Sequence, residues 1–82
     1  LLSDVIANSM EGEIWVTIQT HPNIVAVAVI RGLTAIIMTN GRAPQPDTSQ
    51  KAETEKITIM TTADTSFNIA GKLYNMLNKS LP

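Results

Sequence analysis

Three clusters of polar residues have the types and the spacing to bind a ligand, because each follows a run of residues that is typical of a β-strand. If the strands are parallel, their carboxyl ends meet at one edge of the sheet, where open α/β sheets bind ligands. Hydroxyls, amides and helix N-termini at that edge suit a small anion or a nucleotide-like ligand. The candidate ligand-binding residues are Thr20, His21, Asn23, Thr39, Asn40, Gly41, Thr62, Asp64 and Thr65, with Gln19 and Thr61 beside them.

The same residues also suit a purely structural role. Threonine, asparagine, aspartate and glycine are common turn formers and helix caps, and strand ends need such residues with or without a ligand. The structural interpretation is the commoner one, and both interpretations stay open at this point.

Catalytic and metal-binding patterns are weak. His21 is the only histidine and could act as a general base, but Pro22 follows it, which is more typical of a turn or cap before a helix. The sequence contains the residue types of a catalytic triad in Ser66, His21 and Asp64. The spacing of a nucleophile elbow is absent, so this combination carries almost no weight. One histidine, scattered carboxylates and no cysteine offer no metal-ligand cluster, and Asn40-Gly41 lies in neither a dinucleotide-binding nor a Walker pattern. We expect no metal, no cofactor and no enzymatic activity, with a small enzyme using His21 as the alternative.

Composition limits the partners. The 82 residues form one domain at most, and so small a core favours an oligomer. Six basic residues are spread along a chain of net charge −1, which argues against nucleic acid. The longest apolar run, residues 24–30, is far shorter than the roughly 20 residues of a membrane span. The absence of cysteine suits the cytoplasm, and a start without methionine or a charged n-region predicts a piece of a longer protein, lacking some N-terminal residues.

The elements that would position these residues alternate along the chain. Residues 22–31 are ambiguous, because β-branched residues favour a strand whereas Pro22 and Gly32 favour a helix. We expect Asp47, with Gln50, to cap the third helix and Asp64 to cap the last. Trp15 is expected in the core, with contact to a partner subunit as the alternative, and Tyr74 is expected in the core. If residues 22–31 form a helix, the order of elements predicts an α/β, three-layer module with a short, mainly parallel sheet. Its strands are expected near 13–19, 34–39 and 56–61, and its helices near 1–10, 22–31, 47–55 and 65–79.

The chain closely resembles the DRTGG domain over almost its whole length, and four stretches carry the resemblance: LSDV at 2–5, EIWVTIQTHPNIVAVA at 13–28, AIIMTNG at 35–41 and TSFNIAGKL at 65–73. The family's T-G-G-type turn would lie on Thr39, Asn40 and Gly41, with Asn40 departing from glycine. The polar turn after its preceding strand would lie on residues 20–23.

This resemblance implies a compact α/β module over residues 1–82, often dimeric, with a helix at 23–30. Relatives accompany CBS domains in regulated pyrophosphatases, where the CBS domains bind adenine nucleotides and the DRTGG part contributes mainly to dimer contacts. They also precede phosphotransacetylase domains and occur as small bacterial proteins. The function implied is a non-catalytic regulatory or interaction module. The expected partner is a second copy of the same chain, in a homodimer. Another protein, a nucleotide or a phosphorylated metabolite are further possible partners. A purely structural protein-binding module is a further alternative.

Overall fold

The fold is seen in a computed structural model, which describes residues 13–79. Three strands alternate with three helices. They are β1 (Ile14–Thr17), α1 (Asn23–Arg31), β2 (Ala35–Met38), α2 (Pro46–Glu55), β3 (Thr58–Thr61) and α3 (Ser66–Lys79). The helix predicted near 1–10 lies outside the described residues.

The sheet has three parallel strands in the order β1-β2-β3. Trp15, Ile36 and Ile59 occupy partner positions across it. Each pair of strands is joined through a helix, as parallel pairing requires. The predicted α/β fold with a short parallel sheet is therefore confirmed.

Each strand has four residues, so all three strands are shorter than predicted. At the end of β1, the amide of Gln19 donates to Thr17 Oγ1 over 3.0 Å, and this local turn competes with the strand ladder. Before β3, Lys56 adopts a left-handed conformation with φ of 58° and the amide of Ile57 donates to the carbonyl of Ala52. Lys56 and Ile57 therefore form the C-terminal cap of α2 and do not belong to β3.

The ambiguous segment is the helix α1. The side chains of Ile24, Val25 and Ala28 have no exposed surface, so tertiary burial outweighs their local preference for a strand. Gly32, with φ of 63°, ends the helix, and the amide of Leu33 donates to the carbonyl of Ala28 over 2.9 Å. This is the Schellman pattern that a glycine after the last turn makes possible.

The core lies between the sheet and the pair α1 and α2. Right-handed crossovers that run in the same direction place both helices on one face of the sheet, and the two helices contact each other. The buried cluster consists of Ile24, Val25, Ala28, Leu33, Ile36, Met38 and Ala52, with Trp15, Ile57 and Ile59 packed against it. The prediction that Trp15 faces the core is confirmed.

The central strand is buried on both faces. Ile36 and Met38 belong to the cluster beneath α1 and α2, whereas Ile37, whose side chain points the other way, is also buried. α3 packs against β1, which supplies the third layer.

Two cap predictions are wrong. α2 begins at Pro46 and its N-cap is Gln45, because proline suits the first helical position, where no amide hydrogen is needed. Asp47 lies in the first turn instead of capping it, and no side-chain cap bond is present. α3 begins at Ser66, and the amide of Asn68 donates to Thr65 Oγ1 over 3.1 Å. Thr65, and not Asp64, is therefore the cap.

The prediction that Tyr74 lies in the core is also wrong. Tyr74 is 68% exposed and Phe67 is 85% exposed. Among the apolar residues of α3, Ile69 and Leu73 are half-buried. A sheet of three short strands reaches only this narrow stripe of the helix, although the sequence carries a wider apolar face. Within residues 13–79, no helix is both long and apolar enough to cross a membrane.

Candidate functional site

The polar residues predicted to form a site do meet at the carboxyl edge of the sheet, where backbone hydrogen bonds join the loops. The amide of Thr39 donates to the carbonyl of Thr17 over 3.0 Å and links the ends of β1 and β2. The amides of Asn40 and Gly41 donate to the carbonyls of Asp64 and Thr62 over 2.8 and 2.9 Å. Hydrogen bonds therefore join the end of β1, the turn after β2 and the loop after β3.

The turn after β2 depends on Asn40 and Gly41. Both have positive φ, 58° and 70° respectively, and the amide of Arg42 closes the turn on the carbonyl of Thr39 over 3.1 Å. Asparagine followed by glycine is the pair that tolerates two successive positive φ angles best. The two residues thus hold the turn in place while their amides bind the loop after β3.

Thr39 supports this edge from beneath. Its side chain has no exposed surface. Its Oγ1 lies 2.9 Å from Ser66 Oγ, so the end of β2 is tied to the first turn of α3. A ligand at the surface would not touch Thr39 unless these contacts were broken.

The loop after β1 is anchored to α2 through a residue that sequence reasoning missed. Thr48, fully buried, donates its hydroxyl to the carbonyl of Thr20 over 2.7 Å. The amide of Gln45 donates to the same carbonyl over 3.4 Å. Two donors from the start of α2 therefore fix the backbone at Thr20, one of the predicted site residues.

His21 and Asn23 are exposed and lie at the start of α1. The amide of Asn23 donates to His21 Nδ1 over 3.1 Å, while the carbonyls of His21 and Pro22 accept from the amides of Ile24 and Val25. The imidazole thus takes part in the turn that begins the helix. This is the arrangement expected of a structural turn residue.

The loop between β3 and α3 is fixed by its own side chains. Thr62 Oγ1 accepts from the amide of Asp64 over 3.1 Å, and Thr65 caps α3. The carboxylate of Asp64 pairs with Lys72 Nζ at 2.6 Å. The negative charge of Asp64 is therefore offset at the edge of the site.

An open cleft of about 240 Å³ lies between the loops that follow β2 and β3. Its lining is Gly41, Arg42, Ala43, Thr61, Thr62 and Ala63. Arg42 is exposed, and among the side chains that the structure describes, those of residues 13–76, its guanidinium has no hydrogen-bond or ion-pair partner. Sequence reasoning missed this residue, although its position directly after the Asn40-Gly41 turn is a signal that could have indicated it.

The predicted site residues thus divide into three groups. Gly41 and Thr62 line the cleft, whereas Thr39, Asn40, Asp64 and Thr65 bind the neighbouring loops or the start of α3. Thr20, His21 and Asn23 lie between β1 and the start of α1 and do not line the cleft. In the described part of the chain, no group of three His, Asp or Glu residues is close enough to hold a metal ion.

Comparisons of the chain with protein-family models, with curated proteins and with solved structures found no match in any of the three. The similarity to the DRTGG domain stays a prediction from the sequence.

Proposed function

We propose that this protein is a non-catalytic regulatory and interaction module, which forms a homodimer and senses a small anionic or nucleotide-like ligand at the carboxyl ends of its strands. The observation that carries the sensing role is Arg42, which lines the cleft between the loops after β2 and β3 and whose guanidinium has no hydrogen-bond or ion-pair partner among the described residues. Guanidinium groups bind phosphate and carboxylate with two parallel hydrogen bonds. The resemblance to the DRTGG domain favours the same role.

The dimensions of the cleft favour a particular class of ligand. A volume of about 240 Å³ is below the roughly 300–1,000 Å³ of sites that enclose a drug-sized ligand. The guanidinium of Arg42 and the hydroxyls of Thr61 and Thr62 together suit the binding of a single phosphate group. The ligand class is therefore a small phosphorylated metabolite, or a nucleotide that is held by its phosphate while its base stays outside.

The rigidity of the edge supports sensing. Asn40, Gly41 and Thr39 fix the loop that carries Arg42 by backbone bonds to β1 and to the loop after β3. A pre-formed site avoids the cost of ordering a loop on binding. A ligand held by Arg42 would also bridge the loops after β2 and β3, and so stabilise the folded state.

A thermal-shift titration with inorganic phosphate, AMP and ATP tests the sensing role. A ligand that binds only the native state raises its stability by about 2.7 kcal/mol at a hundred times its Kd. We expect a dose-dependent rise in Tm that is lost in Arg42→Gln. Lys51→Gln is the matched control, since it removes the same charge from the exposed surface of α2 and should keep the full response.

Two results would contradict the proposal. A Tm rise that persists unchanged in Arg42→Gln would remove the cleft as the site. The absence of any rise with all three probes would overturn sensing and leave a purely structural protein-binding module.

That alternative has an observation of its own in its favour. The hydroxyls of Thr39, Thr48 and Thr65 and the carboxylate of Asp64 are all bound within the chain, so much of the polar edge is satisfied without a ligand.

A further inference from the structure

The turn after β2 contains a chemically reactive pair of residues, Asn40 and Gly41. Glycine has no side chain to hinder its amide nitrogen, which can therefore attack the side-chain carbonyl of a preceding asparagine. Asn40 is the only asparagine of the chain that a glycine follows, and both residues are exposed. Water reaches the pair freely, so the backbone conformation decides whether it reacts.

The reaction is deamidation, and it consumes one water molecule. The nitrogen of Gly41 forms a bond to Cγ of Asn40, its proton passes to the side-chain amide, and that group leaves as ammonia. The product is a cyclic succinimide. Water then adds to one of the two ring carbonyls and breaks its bond to nitrogen, which gives aspartate or isoaspartate at position 40. No electrons are gained or lost.

The backbone of the turn keeps the two reacting atoms apart. Asn40 and Gly41 have φ of 58° and 70°, and the amide of Arg42 donates to the carbonyl of Thr39 over 3.1 Å. This is the pattern of a type I′ turn, in which ψ of the first central residue is about +30°. At that angle the nitrogen of Gly41 lies nearly opposite Cβ of Asn40 across the Cα–C bond. Ring closure needs these atoms on the same side.

The attacking nitrogen of Gly41 is also held in a hydrogen bond. It donates to the carbonyl of Thr62 over 2.9 Å, and the neighbouring amide of Asn40 donates to the carbonyl of Asp64 over 2.8 Å. Before the nitrogen can reach Cγ of Asn40, Gly41 must release Thr62 and the Arg42 amide must release the turn. The native turn therefore has to open before it reacts.

We propose that Asn40 is a deamidation site that the native turn protects, so that modification takes place only when the carboxyl edge of the sheet opens locally. The proposal depends neither on ligand sensing nor on dimer formation. The net contribution of the two backbone bonds that must break corresponds to about a tenfold to hundredfold lower population of the open turn. Because loops open more readily than the core of a domain, the rate at Asn40 reports opening of this edge.

The two products have different effects on the edge. Aspartate keeps the length of the backbone and, like asparagine, tolerates positive φ. Isoaspartate directs the main chain through the former side chain and adds one methylene group between the amides of residues 40 and 41. Those amides then no longer fit the carbonyls of Asp64 and Thr62 together. Isoaspartate should therefore lower the Tm, whereas Asn40→Asp should keep it close to that of the wild type.

Peptide mapping by mass spectrometry tests the protection directly. The wild-type protein is incubated at mildly alkaline pH, either folded or unfolded in urea, and deamidation is quantified at every asparagine. We expect Asn40 to be the fastest site in urea and to react about tenfold to hundredfold more slowly in the folded protein. Equal rates at Asn40 in both conditions would overturn the protection. A faster reaction at another asparagine in urea would overturn the assignment of the site.

Two variants that are expected to be destabilised to a similar extent separate local opening from global unfolding. Thr39→Val removes the contact with Ser66 directly before the turn, so it should speed deamidation at Asn40 in the folded protein. Thr48→Val removes a bond to the loop after β1 and should leave that rate near the wild-type value. Both variants should match the wild type in urea. Equal acceleration by the two variants, or none by Thr39→Val, would overturn local opening.

Discussion

Removing the buried hydroxyl of Thr48 tests the idea that the carboxyl edge is held by specific hydrogen bonds. Thr48→Val keeps the shape and volume of the side chain, so no cavity forms. It removes the 2.7 Å bond to the carbonyl of Thr20 and leaves that carbonyl with only the long 3.4 Å bond from the amide of Gln45. A buried polar group left without a partner costs about 1–3 kcal/mol, and Thr20 is half-buried.

The remaining long bond places the expected loss of unfolding free energy in the lower half of that range, about 1–2 kcal/mol. For a domain of this size, such a loss lowers the Tm by roughly 4–16 °C. The assay is urea unfolding, followed by the fluorescence of Trp15, the only tryptophan. The transition midpoint should fall while its slope stays the same.

Thr54→Val is the matched control for this experiment. Thr54 lies on the same helix but is exposed, so the same chemical change should alter stability by no more than about 0.5 kcal/mol. Equal stability of Thr48→Val and the wild type would refute the argument, because it would mean that the bond to Thr20 contributes nothing.

Two further variants separate supporting residues from ligand-binding ones. Thr39→Val loses the contact with Ser66, so the free energy of unfolding measured in urea should fall by about 1–2 kcal/mol. The ligand-induced rise in Tm should be kept. Loss of that rise at unchanged stability would place Thr39 in the binding site itself. His21→Ala loses only an exposed bond to the amide of Asn23, so it should change stability by less than about 1 kcal/mol and leave any turnover unaffected. A loss of turnover in that variant would instead establish His21 as a catalytic base.

Much of the fold could be predicted from the sequence, because the strongest signals are local. The β-branched runs around Trp15, Ile36 and Ile59 predicted the three strands in the right order, whereas the apolar run from Ile24 fitted either a strand or a helix. Residues 22–31 show where local preference fails. Its β-branched residues favour a strand, and only burial and the left-handed stop at Gly32 decide for a helix.

The errors come from features that depend on neighbouring elements. Pro46 takes the first position of α2 and displaces Asp47 from the cap. Tyr74 lies in an apolar stripe, but the stripe is wider than the surface that β1 offers to α3. An amphipathic pattern tells which residues can be buried, whereas the size of the sheet decides which of them are.

The candidate site could be predicted only in part, for the same reason. Parallel strands bring Gly41 and Thr62 to one edge, which the strand order alone implies. The bond from Thr48 to Thr20 joins positions 28 residues apart, so no local pattern indicates it. Arg42 resembles any solvated arginine in a proline-rich loop until the cleft beside it is seen.

The most direct test of the sensing role is an NMR titration of the ¹⁵N-labelled protein with inorganic phosphate and AMP, since it locates binding residue by residue. We predict saturable shifts of the backbone amides of Gly41, Arg42, Ala43, Thr61, Thr62 and Ala63, the residues that line the cleft. The amides of Lys51 and its neighbours on α2 should not move. The absence of shifts with both ligands, or shifts confined to another part of the chain, would contradict the account.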